Sequence, residues 1–255
     1  MSKSKGRNTT AICGYDADSI SIRGKDLINE LMGKCTFTEM LLLQALGKEP
    51  SAMQVQVVDA VLVTIMEHGL VPSAVVTRLT HYGAPESFQG AVVAGLLGVG
   101  DRYAGTAGQC GEILERIVAA AADQRAEQAL EEVRQCRQNG RPVPGFGHPI
   151  HKGTDPRVDR LLDIARNAGV DGEFMAAGKL LETSVREEIG KPLVTNISAA
   201  IAVALGEAGI PAALMRGIVL TARCAGLVGH LFEEMNNSAA HGIWKAAEAE
   251  VSYEP

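Results

Sequence analysis

The sequence is poor in aromatic residues and carries no excess of positive charge. Aromatic residues make up 4% of its 255 residues, whereas hydrophobic residues make up 46%. The core must therefore consist of Ala, Val, Leu and Ile, which suits closely packed helices rich in good helix formers. A net charge of −6 gives no general attraction to nucleic acid or to an anionic membrane surface. Any binding of an anion must therefore be local.

Metal-binding, secretory and membrane signals are also lacking. The five cysteines show no CxxC pair and the six histidines no metal-ligand spacing, which predicts reduced thiols, no metal and a cytoplasmic location. Met1–Arg7 is polar and basic without a following apolar run, so no signal peptide is expected. The most apolar windows, Ala91–Gly100 and Ile218–Phe232, are too short or carry Arg223 and His230, so no transmembrane helix is expected.

The pattern along the chain is helical almost throughout. Only Ile20–Gly24 alternates with period two, which predicts a small hairpin. A continuous helix is predicted over about Gly108–Gln138. The tail Ser238–Pro255 is predicted to be a surface extension, and Trp244 and Tyr253 indicate that part of it docks. Helix starts are predicted at the capping box Thr36–Glu39, at Ser51, at Asp155 with Pro156, at Asn196 and at Pro211.

One loop stands out as a candidate site. Two glycines free the backbone of Val143–His148, and a proline-initiated helix carrying Arg157 follows it. The imidazole of His148 is placed to act as a general base or to donate a hydrogen bond to a developing oxygen charge. A turn histidine that bonds the backbone is an equally good interpretation of the residues alone. No Walker or Rossmann glycine pattern is present, so ATP and nicotinamide cofactors are not supported.

Several further cations are ambiguous from the sequence. Arg78, Arg157 and Arg223 could each clamp a carboxylate, or could be solvated or structural. Arg223 lies within an apolar helix, so a partner anion is implied, either Asp, Glu or a ligand. His68 ends an apolar helix beside Glu67, where a core role is common. His230 lies seven residues after Arg223 on roughly the same face, at a site wall or an interface.

Together these motifs resemble the citrate synthase family, over nearly the whole chain from about residue 19. The carriers of the resemblance are Pro144–His148, Asp155–Arg157, Ile22–Gly24, Glu67–His68 and Ala222–Gly226. The resemblance is closest to citryl-CoA lyases and the citrate-synthase-like module of ATP-citrate lyase, on the segments Gly100–Gly105, Ala222–His230 and Ser252–Pro255. The compact length fits that branch better than a full citrate synthase.

The resemblance implies an all-α fold and a set of roles. A large helical domain (1–110 and 216–255) and a small one (111–215) would enclose a cleft, in a homodimer or higher oligomer. A CoA thioester and a di- or tricarboxylate would be substrates, without a bound cofactor. His148 would handle the hydroxyl or carbonyl oxygen of the four-carbon product. Carboxylates would be held by His68, Arg157 and Arg223, and CoA by Val143, Gly145, Phe146, Gly147 and Lys152.

Two departures from the family pattern matter. Tyr103 stands where citrate synthases have a histidine, and the lyase branch carries an aromatic residue there. Ser198 stands where the family has its catalytic aspartate, although serine is not a competent general base, and loss of such a base costs about 10²–10⁴-fold in rate. Three hypotheses follow: a citryl-CoA-lyase-like enzyme, a related enzyme acting on a different acyl-CoA, or an inactive relative that binds CoA or a carboxylate.

Overall fold

A computed structural model of the protein describes residues 8–147, 155–170, 172–190 and 193–254, without the side chains of residues 102 and 103. The chain is 67% helical, which confirms the all-α prediction. The strands are β1 (Cys13–Tyr15), β2 (Ile20–Ile22) and β3 (Lys25–Asp26), and two π-helical turns cover Leu27–Leu31 and Asp101–Gly105. The helices are α1 (Phe37–Leu46), α2 (Ala52–Ile65), α3 (Pro72–Gly83), α4 (Phe88–Leu97), α5 (Thr106–Ala119), α6 (Arg125–Gln138), α7 (Pro156–Asn167), α8 (Glu173–Ile189), α9 (Ile197–Glu207), α10 (Ala212–Asn236) and α11 (Ala240–Glu250).

The predicted hairpin is present as part of a three-stranded antiparallel sheet. Strands β2 and β3 are joined by Arg23 and Gly24, which both have positive φ, at 51° and 82°. Such a two-residue turn matches the twist of a hairpin, and glycine adopts it without strain. The Arg23 side chain donates to the carbonyl oxygen of Gln44 from Nε at 3.0 Å, which ties the sheet to α1.

The predicted helix starts are confirmed. They can be predicted because each depends on residues that are neighbours in the chain. Each cap side chain accepts a hydrogen bond from a backbone N–H in the first turn, which would otherwise lack a partner. The bonds are Glu39 N to Thr36 Oγ1, Gln54 N to Ser51 Oγ, Arg157 N to Asp155 Oδ1 and Ser198 N to Asn196 Oδ1. Helix α10 follows Pro211 as expected.

The predicted continuous helix over Gly108–Gln138 is wrong. The chain leaves the helical conformation at Ala120, with ψ at 154°, and resumes it at Arg125. The Arg125 guanidinium donates to the carbonyl oxygen of Val118 at 2.9 Å and so caps the end of α5. Helix α5 packs on α9, whereas α6 packs on α8. One straight helix could not bury both apolar faces, so tertiary packing overrides the local propensity.

The tail Ser238–Pro255 docks in part, as Trp244 predicts, because α11 packs against α3, whereas Tyr253 is 88% exposed. Its first residue, Ala240, is fully buried. Trp244 and His241 meet edge to face with ring centroids 5.7 Å apart, and the Trp244 centroid lies 6.5 Å from that of Tyr82. These aromatic contacts fix the end of the chain to the helical body.

The core is aliphatic, as the composition predicts. Phe146 is the one aromatic residue among the buried hydrophobic residues of the described chain. Helix α10 is long and apolar enough to cross a membrane by composition, but it packs against α2, α3, α4 and α5. One such helix is weak evidence for membrane insertion, because a helix packed within a globular protein passes the same test of composition.

Candidate active site

The turn that follows α2 presents His68. The Glu67 carboxylate folds back onto this turn, and its Oε1 accepts the backbone N–H groups of His68 and Gly69, both at 2.7 Å. Gly69 has a positive φ of 73°, which the sharp turn requires. The His68 side chain is therefore exposed at the end of the helix rather than buried in the core.

Arg157 reaches His68 from the first turn of α7. Its guanidinium is held by a buried Asp155 carboxylate, with Nε 3.0 Å from Oδ1 and Nη2 2.8 Å from Oδ2. This bidentate pairing fixes the plane of the guanidinium. Its Nη1 lies 3.4 Å from Nδ1 of His68, which is 89 residues away in the sequence. The structure thus brings together two of the predicted carboxylate-binding residues.

Arg223 lies on α10 beside the same turn and is 6% exposed. Its Nη1 donates to the carbonyl oxygen of Met66 at 3.1 Å, and its Nη2 is 3.5 Å from Ser73 Oγ. Burial lowers the pKa of Arg223, against the nearby charge of Glu67. In the described part of the chain, no carboxylate oxygen lies within 4.0 Å of this guanidinium. Of the three partners that the sequence allowed, Glu67 interacts with Arg223 only electrostatically, which leaves the guanidinium able to bind a ligand anion.

Close approach of α10 to the end of α2 depends on Gly226. A Cβ atom at this position would lie 2.2 Å from the Met66 carbonyl oxygen and 3.1 Å from Glu67 Oε2. Gly226 therefore allows Arg223 to reach the Met66 carbonyl. The glycine lies within the Ala222–Gly226 motif, but the sequence gives no sign of what it touches.

The glycine loop is fastened to the start of α9. The N–H of Gly147 donates to Val194 O at 2.7 Å, and the Asn196 amide donates to Gly147 O at 2.9 Å. Gly145 has φ of 88°, and a Cβ atom there would lie 2.7 Å from the Cβ of Ala199. Since Val143 is buried, any ligand contact of that residue would be made through its backbone, whereas Phe146 also lines a cavity.

Ser198, the residue at the family's aspartate position, is the second residue of α9. Its backbone N–H donates to the cap Asn196. Its hydroxyl makes no hydrogen bond within the described ranges. His148 and Lys152, together with the Tyr103 side chain, lie outside the description, so their predicted roles stay predictions.

A cavity of 610 Å³ lies beside the glycine loop, bounded by α7 and α8 over α9. Its volume is in the range of small-molecule sites. Phe146, Thr195, Ala199 and the buried Cys110 help to line it, whereas His68, Arg157, Arg223 and Ser198 do not. Burial raises the pKa of the Cys110 thiol to about 12, which excludes it as a nucleophile at neutral pH.

Some site residues were missed or left ambiguous by the sequence. Asp155 was predicted only as a helix cap, but its carboxylate also orients Arg157. Asn196 was likewise predicted only as a cap, but it also holds the glycine loop. The sequence signal for the orientation of Arg157 was the acidic residue Asp155, two positions before it. Among the described residues, no group of three or more His, Cys, Asp or Glu side chains could hold a metal ion.

Arg78 is structural, because it forms a buried ion pair with Glu234 at 2.7 Å. Burial raises the pKa of Glu234, but hydrogen bonds from Ser238, the Ala240 and Ala239 amides and Arg78 lower it to about 2. The ordinary value is 4.5, so the carboxylate binds protons less readily in the folded than in the unfolded state. This contribution to stability is fully present above pH 4.5 and is lost as the pH falls towards 2.

We expect that loss to reach about 3 kcal/mol, measurable by urea denaturation between pH 7 and pH 2.5. In Glu234→Gln, stability at pH 7 should fall by a similar amount and vary less with pH across that window. Glu248, in an exposed pair with Lys245 at 2.8 Å, provides the control. Glu248→Gln should keep the wild-type pH dependence, and an unchanged profile in Glu234→Gln would contradict the assignment.

The chain is similar in sequence to a family of known proteins. A family model described as "Citrate synthase, C-terminal domain" matches residues 22–246. The citrate synthase of Synechocystis sp. is 28% identical over 210 residues, covering 80% of this chain and 51% of that protein. The citrate synthase of Haloferax volcanii is 25% identical over 196 residues, covering 75% and 50%. The chain thus spans about half the length of the curated relatives it matches.

Solved structures give a fuller match. The citryl-CoA lyase from Hydrogenobacter thermophilus superposes with a TM-score of 0.84 at 28% identity, covering 97% of this chain and 94% of that one. The ATP citrate lyase from Methanothrix soehngenii, solved with citrate and coenzyme A, gives 0.76 at 21% identity, covering 100% and 43%. The citrate synthase from Thermotoga maritima gives 0.63 at 20%, covering 80% and 55%. The two less similar structures share the fold.

Proposed function

The chain belongs to the citrate synthase family, and on that premise we propose that it cleaves a 3-hydroxyacyl-CoA such as citryl-CoA to acetyl-CoA and oxaloacetate, or catalyses the reverse condensation. One observation carries the choice of a lyase over a full citrate synthase. The citryl-CoA lyase structure matches 97% of this chain with a TM-score of 0.84, whereas the Thermotoga maritima citrate synthase matches 80% with a TM-score of 0.63.

The cations at the end of α2 support the carboxylate part of the proposal. His68 and Arg157 are in contact, and Arg223 reaches the same turn without a carboxylate partner in the described chain. A tricarboxylate or oxaloacetate supplies the anions that such a group of donors would bind. In this proposal Arg223 pairs with one ligand carboxylate, while His68 and Arg157 hold another.

The chemistry is assigned to the glycine loop and the start of α9. In cleavage, His148 takes the proton of the citryl hydroxyl, and that oxygen becomes the carbonyl of oxaloacetate as the C–C bond breaks. The bonding electrons pass to the acetyl-CoA enolate, whose α-carbon must then gain a proton. CoA would lie along Val143, Gly145, Phe146 and Gly147, with Lys152 near its phosphates. The cleft would lie between a large domain (1–110 and 216–255) and a small domain (111–215).

Ser198 favours a second candidate, because its hydroxyl cannot replace a carboxylate in moving that last proton. Either a different acyl-CoA is used, or the protein binds CoA or a carboxylate without turnover. A thermal-shift panel of CoA esters and carboxylic acids separates these from the first proposal, since the true ligand stabilises the folded protein.

The direct test is to mix purified protein with citryl-CoA and to measure oxaloacetate and acetyl-CoA. Release of both products supports the lyase, and an inert mixture at high enzyme concentration contradicts it. Ser198→Asp provides a second arm. If the rest of the site is competent, the carboxylate should raise the rate, whereas an inactive binding protein should stay inactive.

We also propose a homodimer, which two neighbouring helices support. Helices α4 and α10 pack together and expose large apolar side chains to solvent, an unusual feature for a monomer. These are Val93, Leu97, Val228, Phe232 and Met235, with Leu97 81% and Phe232 68% exposed. Burial of the same surface on a second copy would give a two-fold symmetric contact.

The double variant Leu97→Glu, Phe232→Glu should therefore be monomeric, as measured by light scattering after size exclusion. Two charges on each side of a symmetric apolar contact cannot be desolvated without a large cost. Val251, which is 75% exposed beyond α11, offers a control. Val251→Glu should remain dimeric, and a dimer that persists in the double variant would place the interface elsewhere.

A further inference from the structure

We propose that His230 is a positioning residue, which holds the Glu67 carboxylate away from Arg223 and so leaves that guanidinium available to the substrate. The inference rests on the proposed function and adds to it a means by which the carboxylate site is kept open. It depends on a row of contacts that runs from the turn after α2, through the ring of His230, to the buried pair of Arg78 and Glu234.

The ring of His230 has a defined orientation. Its Nδ1 accepts a hydrogen bond from Arg78 Nε at 3.0 Å, so the proton of the neutral ring is on Nε2. Nε2 lies 3.0 Å from Glu67 Oε2, but its N–H does not point towards that oxygen closely enough to donate a hydrogen bond. The contact is therefore an electrostatic one, and it places the positive edge of the ring against the carboxylate.

Arg78 cannot move away from His230 easily. It is 2% exposed and is bound to Glu234 at 2.7 Å as well as to Glu233. Glu234 in turn accepts the backbone N–H of Ala240 at 3.0 Å. The ring is thus braced by α3, by the end of α10 and by the start of α11.

Glu67 uses its two oxygens for different purposes. Oε1 holds the His68 turn, whereas Oε2 faces His230. Burial raises the pKa of Glu67, but the contact with His230 and the two backbone donors outweigh it and lower that pKa. The carboxylate is therefore charged at neutral pH, and it contributes an electrostatic interaction to Arg223 without an ion pair within 4.0 Å.

Without His230, Glu67 could turn towards Arg223, with which it already interacts electrostatically. An ion pair between Glu67 and Arg223 would occupy the guanidinium that the substrate needs, and it would also draw the His68 turn out of place. His230 thus acts on the carboxylate site without touching the ligand. A role of this kind affects affinity for the acid more than affinity for CoA.

The test uses His230→Leu, which removes both ring nitrogens, and His230→Gln, which keeps an acceptor and a donor. Glu132→Gln is a matched control. Glu132 is a buried carboxylate on α6, and its Oε2 lies 2.7 Å from Nη2 of Arg116. Isothermal titration measures citrate and CoA separately for each variant. We expect His230→Leu to bind citrate at least tenfold more weakly than the wild type, with unchanged CoA affinity. His230→Gln should bind citrate within about threefold of wild type. Glu132→Gln should bind both ligands with unchanged affinity.

A double variant tests the competition directly. In His230→Leu with Glu67→Gln, the competing charge is removed while the amide oxygen can still accept the turn N–H groups, so citrate affinity should recover. Wild-type affinity in His230→Leu, or no recovery in the double variant, overturns the inference. Should His230→Leu fail to fold, His230→Phe takes its place in both arms.

Hydrogen exchange keeps this test separate from the proposed function. If the wild type binds no citrate, the proposed function fails, but bracing of the turn can still be measured in the ligand-free protein. Faster exchange of the His68 and Gly69 amides in His230→Leu, and not in Glu132→Gln, supports the positioning role. Equal exchange in all three proteins overturns it.

Discussion

Replacement of Arg223 with glutamine should lower kcat/KM for citryl-CoA by about 10³-fold, because removal of one partner from a desolvated guanidinium–carboxylate pair costs about 2–5 kcal/mol. Arg223 is 6% exposed, and in the described chain its contacts are carbonyl and hydroxyl oxygens rather than a carboxylate. Only the more distant charge of Glu67 offsets its own until a ligand binds. Glutamine keeps a donor for the Met66 carbonyl but provides no charge.

Lysine at the same position should restore only part of the activity, about tenfold above glutamine, because an ammonium group is charged but cannot form the two-pronged contact. Arg216 is a control on the same helix, since it is 46% exposed and pairs with Asp101 at 2.6 Å. Arg216→Gln should stay within about threefold of wild type. Steady-state kinetics give kcat/KM for each variant, and citrate binding is the second measurement. A folded Arg223→Gln protein with near-normal kcat/KM would remove Arg223 from the site.

Gly226→Ala should destabilise the protein by about 3 kcal/mol or more, which corresponds to a fall in Tm of roughly 6–12 °C for a chain of this size. The added methyl carbon would lie 2.2 Å from the Met66 carbonyl oxygen, a backbone atom that cannot turn away. The end of α2 must therefore shift. That shift breaks the Arg223 contact, so citrate affinity should fall together with stability.

Gly229→Ala separates this steric effect from helix propensity. Gly229 is three residues further along α10, and a Cβ atom there meets nothing within 4 Å. Alanine should stabilise the helix by about 0.5–1 kcal/mol, since glycine loses more backbone freedom on folding. Thermal melting and citrate titration of the two variants make the comparison. Equal melting temperatures would mean that α10 and α2 are not in close contact in solution.

Local features of the fold could be predicted because they depend on residues within one helical turn. The Thr36–Glu39 capping box and the caps Asp155 and Asn196 are examples. The break at Ala120 could not be predicted, since the surrounding residues are good helix formers and only the separate packing of α5 and α6 requires it. Trp244 and Tyr253 predict that part of the tail docks, but only the tertiary structure shows that α3 is the partner of α11.

The candidate site was predicted in part, and for a similar reason. The position of Arg223 within an apolar helix indicated that its charge needs a partner. Its surroundings followed only from the crossing of α10 and α2, where Gly226 leaves room for the Met66 carbonyl. The Asp155 carboxylate was recognised as a cap, but its bidentate hold on Arg157 depends on the side-chain geometry of the first turn of α7.

By itself, the sequence determined the helical class, the family and the helix starts, because periodicity, motif spacing and capping involve near neighbours in the chain. Only the tertiary structure decided which distant groups meet. His68 and Arg157 are 89 residues apart and come within 3.4 Å. Likewise, Nε2 of His230 on α10 lies 3.0 Å from Oε2 of Glu67 in the turn after α2. Such contacts are set by helix packing at a few close crossings, and the spacing of residues along the chain carries no measure of them.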